Sequence, residues 1–313
     1  MRYFEEGPLG PESLRHHRRR ARFWGAATAT VNWCERDYAI TPYVAEFYNA
    51  LSSLAFVAYA ALGLRLYGDR RVYERRFVVA LWFLVGVGVG SALFHATLWR
   101  SMQLLDELPM VYVVLVQLWV LLERWSVRRG RRRGLGRALA FSIGAAAFTV
   151  SYVWIWRSAL WHQVVFGALM VWVTLLSVRC LRETAQVRAR RLYTTSVALY
   201  AVGFVLWNVD NQFCHWVRPL HLHAVWHLCM ATGAWLAFSF VLYDRLRRLA
   251  ASPEVHLACG LLPYVVAGAG KPDGPPTRVP VKAGRAVPAP MRTDVTTPKR
   301  LHKVRSRVEF FTL

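Results

Sequence analysis

Two pairs of side chains spaced four apart carry the first chemical signal. Ser91 and His95 lie in "GSALFHATLWRSMQLLDELPM" (90–110), and His223 and His227 lie in "HLHAVWH" (221–227). On a helix, an i, i+4 pair projects from one face on successive turns. Two such faces turned toward each other offer three imidazoles to one point. Three neutral imidazoles suit zinc with a fourth position open for water, the composition of a catalytic rather than a closed structural site. Asp106 follows His95 closely and has two readings. It is a first-turn acid complementing a helix dipole, a role Glu107 fills at least as well, or a base near an activated water. Ser91 either bonds back to a helix carbonyl or polarises a reacting oxygen. His215 and His221 compete as ligands, but His221 and His223 are two apart and point to different faces, which favours His223 with His227.

A second group lies upstream. Asn32, Glu35, Asp37 and Glu46 gather three carboxylates and an amide within 15 residues. These hard oxygen donors suffice for calcium if a carbonyl and water complete the shell, and otherwise read as solvated acids. Of the five cysteines, none forms a CxxC pair. Cys180, Cys229 and Cys259 read as free thiols.

The elements that must position these groups are membrane helices. The 313 residues are 55% hydrophobic with 14 tryptophans, richer in apolar mass than an ordinary soluble domain. Windows of about 20 apolar residues, enough to cross a bilayer core, recur near 43–66, 76–98, 104–123, 138–157, 159–180, 192–213 and 223–243. The expected fold is an all-α, seven-transmembrane helix bundle, because only an internal hydrogen-bond ladder satisfies backbone in lipid. Close packing of the second span is expected at Gly86, Gly88 and Gly90. A net charge of +22 would suggest nucleic acid in a soluble protein, but the arginines sit in the breaks between spans. Twenty follow the odd spans and three (Arg100, Arg157, Arg218) follow the even ones. This bias places odd loops and the C-terminus in the cytosol and the N-terminus in a lumen or outside. The basic run Arg15, Arg18, Arg19, Arg20 and Arg22 conflicts with that assignment and is outvoted.

Every suspicious cluster then falls at one end of the bundle, the non-cytosolic one, where Cys34 and Cys214 also lie and oxidation is permitted. The expected organisation is a basic segment over 1–30, the membrane domain over 31–245, and a Pro/Lys/Arg-containing tail over 246–313, disordered or loosely membrane-associated. Within the tail, 255–270 is too short to span and reads as interfacial. No cleavable signal peptide is visible, and the first span is expected to act as signal anchor.

Four motifs in this order, "NWCERDYAITPYVAEFYN", "GSALFHATLWRSMQLLDELPM", "NVDNQFC" and "HAVWH", resemble the alkaline ceramidase family of seven-helix membrane amidases over about residues 28–245. The resemblance implies a zinc site of His95, His223 and His227 with Ser91 and Asp106 beside it. It implies a calcium site from Asn32, the Trp33 carbonyl, Glu35, Asp37 and Glu46, and a Cys34–Cys214 disulfide. It further implies hydrolysis of the ceramide amide to a sphingoid base and a fatty acid, at the non-cytosolic side of an endoplasmic reticulum or Golgi membrane. The ceramide substrate and the bilayer are the expected partners. The alternatives are a related seven-helix hydrolase of another lipid, or a non-catalytic receptor. Two departures stand out: Asn32 and Asp37 exchange the acid and amide that the family commonly carries at those positions, and the Cys214–His223 connection is short.

Overall fold

In the computed structural model, the structure describes residues 23–68, 73–127, 134–249, 251–258, 260 and 262–268. The basic run through Arg22, Cys259 and the chain beyond 268 lie outside the described residues. Seven described helices are long and apolar enough to cross a membrane, which makes the chain a multi-pass membrane protein. They are α1 (Phe47–Tyr67), α2 (Arg75–Thr97), α3 (Arg100–Val127), α4 (Gly134–Val150, closed by a π-turn at Ser151–Ile155), α5 (Ala159–Arg182), α6 (Val187–Gln212) and α8 (Leu222–Arg248). The short α7 (Cys214–Val217) and a 3-10 turn (Arg218–Leu220) join the last two.

Helix α8 is the axis. It packs against α6, α1 and α3, while α2 is clasped between α1 and α3 and the outer helices α4 and α5 lean on α3. The core runs through Tyr67, Phe77, Leu81, Leu118, Trp235 and Phe240, all buried. Trp82, Trp172 and Phe204 point outward, the arrangement expected of side chains solvated by lipid rather than water. The sequence expectation of tight packing on α2 holds. A Cβ at Gly88 would stand 2.7 Å from a Val57 methyl, and one at Gly90 2.6 Å from the Asp106 backbone nitrogen. Gly90 thus sets how near α3 comes to α2.

One expectation is corrected and another is refined. Helix α3 begins at Arg100, because the Trp99 carbonyl accepts from Met102 N–H at 3.1 Å and Gln103 N–H at 2.9 Å. Asp106 and Glu107 therefore lie past the first turn, and Glu107 is no cap. Instead, Glu107 accepts hydrogen bonds from Tyr152 Oη–H and from Gln103 Nε2–H (3.1 Å), joining α3 to the π-turn. The stretch near 255–270, read as interfacial, forms an antiparallel hairpin of β1 (Pro253–Ala258) and β2 (Leu262–Ala267), in register Pro253↔Ala267 to Ala258↔Leu262. Gly260, at φ +72°, takes the left-handed backbone that the reversal needs. Val255 and Val265 turn into the core, Trp235 Nε1–H donates to the Pro263 carbonyl at 2.8 Å, and Tyr67 Oη accepts from Val265 N–H at 3.1 Å. Apolar side chains on one face of each strand and two hydrogen bonds to buried aromatics bind the hairpin to the bundle.

At the same end, Glu74 joins three elements. It pairs with Arg76, which also pairs with Glu123 and stacks 4.8 Å from the Trp119 ring, and with Arg245 Nε at 2.5 Å. Burial acts to raise the Glu74 pKa, but the Arg76 and Arg245 guanidinium groups outweigh it and hold the carboxyl below its ordinary 4.5. A depressed folded pKa contributes stability that is present above the unfolded value and lost as pH falls through the folded one. Glu74→Gln is expected to cost about 2 kcal/mol at neutral pH. It should also flatten the fall in melting temperature as pH drops from about 5 through the depressed folded pKa, measured by thermal unfolding of wild type and variant in detergent.

Candidate metal centre

The last turn of α2 exposes carbonyls without helical partners, and the segment entering α1 satisfies them. Ala45 N–H donates to the Ala96 carbonyl (3.0 Å) and Glu46 N–H to the His95 carbonyl (2.8 Å). Leu98, in the left-handed region at φ 56°, ends the helix and accepts from Thr28 and Ala29 N–H. This pairing sets the fully buried Glu46 side chain against His95. Glu46 Oε1 accepts from Trp33 N–H at 2.9 Å, and Oε2 bonds to His95 Nδ1 and lies 3.5 Å from Asn49 Nδ2. With Nδ1 engaged, His95 presents Nε2 to the interior.

His227 is oriented by a similar logic. The single Ser52 hydroxyl proton goes to the Asn49 carbonyl at 3.1 Å, so the 2.8 Å contact between Ser52 Oγ and His227 Nδ1 has the imidazole as donor. Its Nε2 keeps a lone pair. His223 is held between two indoles, Trp33 at 3.9 Å and Trp226 at 4.8 Å between ring centroids, and its buried Nδ1 has no hydrogen-bond partner. The carboxylate of Asp210 near the end of α6 accepts from the backbone N–H groups of Cys34 and His223, fixing where α8 begins. Cys34 and Cys214 stand at disulfide distance, with Cα atoms 5.3 Å apart, and tie the same N-terminal segment to α7.

The three histidines are nearly inaccessible to solvent, and one ring nitrogen from each lies within 4.8 Å of the others. Among the described residues this is the only such convergence of three His, Cys, Asp or Glu ligand atoms. Two rings have Nδ1 engaged on the outward side, by Ser52 and by Glu46, and the third has an orphaned buried nitrogen. That donor set fits a zinc ion.

Ser91 Oγ sits 3.4 Å from His227 Nε2, is hydrogen-bonded to Asp106, and accepts from Ser53 Oγ at 2.9 Å. The open side of Asp106 faces a cavity that descends between α1, α2, α3, α5, α6 and α8. Its walls include Phe56, Leu84, Val87, Met110, Met170 and Met230. A buried metal-competent site with a carboxylate and a hydroxyl thus stands at the head of an apolar channel.

The five residues grouped as calcium ligands are placed less symmetrically. Glu35 spans the N-terminus of α1, accepting from Tyr48 N–H (2.8 Å) and Asn49 N–H (2.9 Å). Burial raises its pKa against the pull of those two hydrogen bonds. The Asn32 amide nitrogen lies 3.4 Å from both Asp37 oxygens, and Asn32 Oδ1 is buried without a partner. Trp33 stacks on His223 while its backbone N–H holds Glu46.

Asn49, Ser52, Ser53 and Asp210 were not singled out from the sequence. The signal was present: Glu46, Asn49 and Ser53 recur at i, i+3 and i+7, a polar stripe on an otherwise apolar helix. His215 and His221 stay outside the triad. His221, at φ 47°, begins α8 with its ring 4.1 Å from Tyr48, and His215 packs on Trp216.

Fold and site together define a multi-pass membrane protein with a buried three-histidine cluster, able to hold a metal ion, at one end of its helix bundle. The chain belongs to the ceramidase family, whose model matches residues 25–266. It is 32% identical over 257 residues to alkaline ceramidase 3 of Mus musculus, covering 78% of this chain and 94% of that protein. It is 31% identical to the alkaline ceramidase of Arabidopsis thaliana, with the same coverage, and 31% identical to alkaline ceramidase YPC1 of Saccharomyces cerevisiae, covering 72% of this chain and 78% of the yeast protein.

Elemental analysis of the purified protein is expected to find zinc equimolar with chain, and His223→Ala to lose it. Glu46→Gln should keep the fold and weaken zinc retention against a chelator about 10–100-fold, the usual cost of losing a carboxylate behind a ligand imidazole.

Proposed function

We propose that the protein hydrolyses the amide bond of ceramide, releasing a sphingoid base and a free fatty acid. The observation that carries the reading is the Ser91 hydroxyl, bonded to Asp106 and 3.4 Å from a ligand nitrogen of the histidine triad. It puts a proton acceptor and a hydrogen-bond donor beside a metal-competent centre.

His95, His223 and His227 would hold zinc, which supplies Lewis-acid polarisation and an ionised water at neutral pH. Asp106 accepts the proton of the water that adds to the amide carbonyl carbon. It returns that proton to the nitrogen as the C–N bond breaks, so that the amine leaves neutral. Ser91 donates to the carbonyl oxygen as that atom gains negative charge. The free space below Asp106 is narrow, about 60 Å³. Three methionines line it, and their unbranched side chains adapt to an acyl chain with little strain.

Asn32, Trp33 through its carbonyl, Glu35, Asp37 and Glu46 provide a calcium site next to the zinc. The buried, unpartnered Asn32 Oδ1 beside Asp37 supports that assignment. The histidine end of the bundle faces a lumen, with the N-terminus there and the C-terminus in the cytosol, in an endoplasmic reticulum or Golgi membrane. The arginine bias of the loops and the Cys34–Cys214 pair, which needs an oxidising compartment, support that orientation.

Sphingosine release from a ceramide panel tests the reaction. Asp106→Asn is expected to lower kcat by about 10²–10⁴-fold and Ser91→Ala by about 10²–10³-fold, both with zinc content intact. Full turnover in either variant, or release of fatty acid from glycerolipids alone, overturns the assignment, and a calcium chelator that spares zinc should reduce activity reversibly. For orientation, an impermeant thiol reagent applied to sealed microsomes should leave a cysteine introduced at Arg218 unlabelled until the membrane is opened.

A further inference from the structure

At the end of the bundle away from the histidines, a groove of about 720 Å³ opens between α6, α8 and the hairpin. That volume is within the range of ligand sites. Arg188 and Arg191 stand at its mouth, and both are exposed. Leu192, Leu199, Leu236, Val255, Leu257 and Leu262 line its length, and Tyr59 Oη closes the inner end on Thr232 Oγ1 at 3.0 Å. Arg188, Leu192, Thr195 and Leu199 share one face of α6, so the groove runs from charged to apolar over roughly 16 Å of helix.

Charge bookkeeping at this end is uneven. Glu74 is taken by Arg76 and Arg245, Asp244 by Arg247 and Arg248, and Glu183 by Arg248. Among the described residues neither Arg188 nor Arg191 has an acidic partner. Two guanidinium groups without an acidic partner among the described residues, at the head of an apolar trough, complement one kind of molecule, an anionic amphiphile. Arginine's planar fork matches phosphate oxygens in particular. Ceramide, being uncharged, leaves both arginines unmatched, so the groove is not a second substrate site.

We propose that this groove binds an anionic phospholipid, with its phosphate on Arg188 and Arg191 and one acyl chain lying between α6, α8 and the hairpin. The bound lipid bridges the hairpin to the bundle at the end opposite the metal centre.

The test uses the full chain purified in neutral detergent and offered equal phosphatidylglycerol and phosphatidylcholine, with retained lipid counted by native mass spectrometry. Wild type is expected to retain phosphatidylglycerol in about tenfold preference. The Arg188→Gln, Arg191→Gln double variant should lose the preference. Arg182→Gln with Arg190→Gln removes the same charge outside the groove and should keep it. Leu199→Trp fills the groove with the arginines intact and should also lose retention; Leu199→Phe stands in if that variant loses zinc and so is misfolded. Preference that survives the groove variants, or falls equally in the charge control, overturns the proposal. So does displacement of the phospholipid by equimolar oleic acid, which would assign the groove to a carboxylate.

Discussion

The structure turns on one carboxylate. Glu46 donates its backbone N–H to the His95 carbonyl, accepts the His95 ring through one side-chain oxygen, and anchors Trp33 N–H with the other. A fully buried carboxylate is costly unless its lone pairs are engaged, and here they are engaged by the groups that must be positioned. The helix end, the imidazole tautomer and the N-terminal segment are therefore fixed by the same residue. Trp33, held in this way, stacks on His223, so the constraint reaches the ligands of α8 without touching them directly.

The two ends of the bundle spend polar groups differently. At the histidine end, Glu35, Glu46, Asp106 and Asp210 face imidazoles, hydroxyls and backbone N–H groups, and Glu107 alone of the acids named there lies near a guanidinium, Arg100 at 3.9 Å. At the other end, acids face guanidinium groups, as with Glu74 between Arg76 and Arg245. That network fastens α2, α3 and α8 together, and the hairpin bonds to Tyr67 and Trp235 near the same end.

Much of this architecture is legible in the sequence. The seven apolar windows coincide with the seven long helices to within a few residues, because lipid leaves the backbone few options. Helix periodicity puts His223 and His227 on one face, and the resemblance to the ceramidase family, rather than spacing, names His95 as the third member of the set. The partners behind those histidines were not legible. Ser52 is an ordinary helix serine until α8 brings His227 within 2.8 Å of it, 175 residues later. Glu107 looked like a cap because the helix start was placed too late by hydropathy, which does not register the polar turn Arg100–Gln103. The hairpin was missed because six-residue strands carry a weak pattern, and the Val255 and Val265 contacts that stabilise it are with helices distant in sequence.

The placement of the ligands also bears on biogenesis. Two of the three histidines belong to the final long helix, and the cysteines that join the N-terminal segment to α7 are separated by 180 residues. A chain entering the bilayer from α1 already carries Glu46, His95, Ser91 and Asp106, yet has no metal site until α8 has been inserted and drawn against them. Reactive chemistry is thereby withheld from every partly inserted form, and the completed topology is itself the condition for activity.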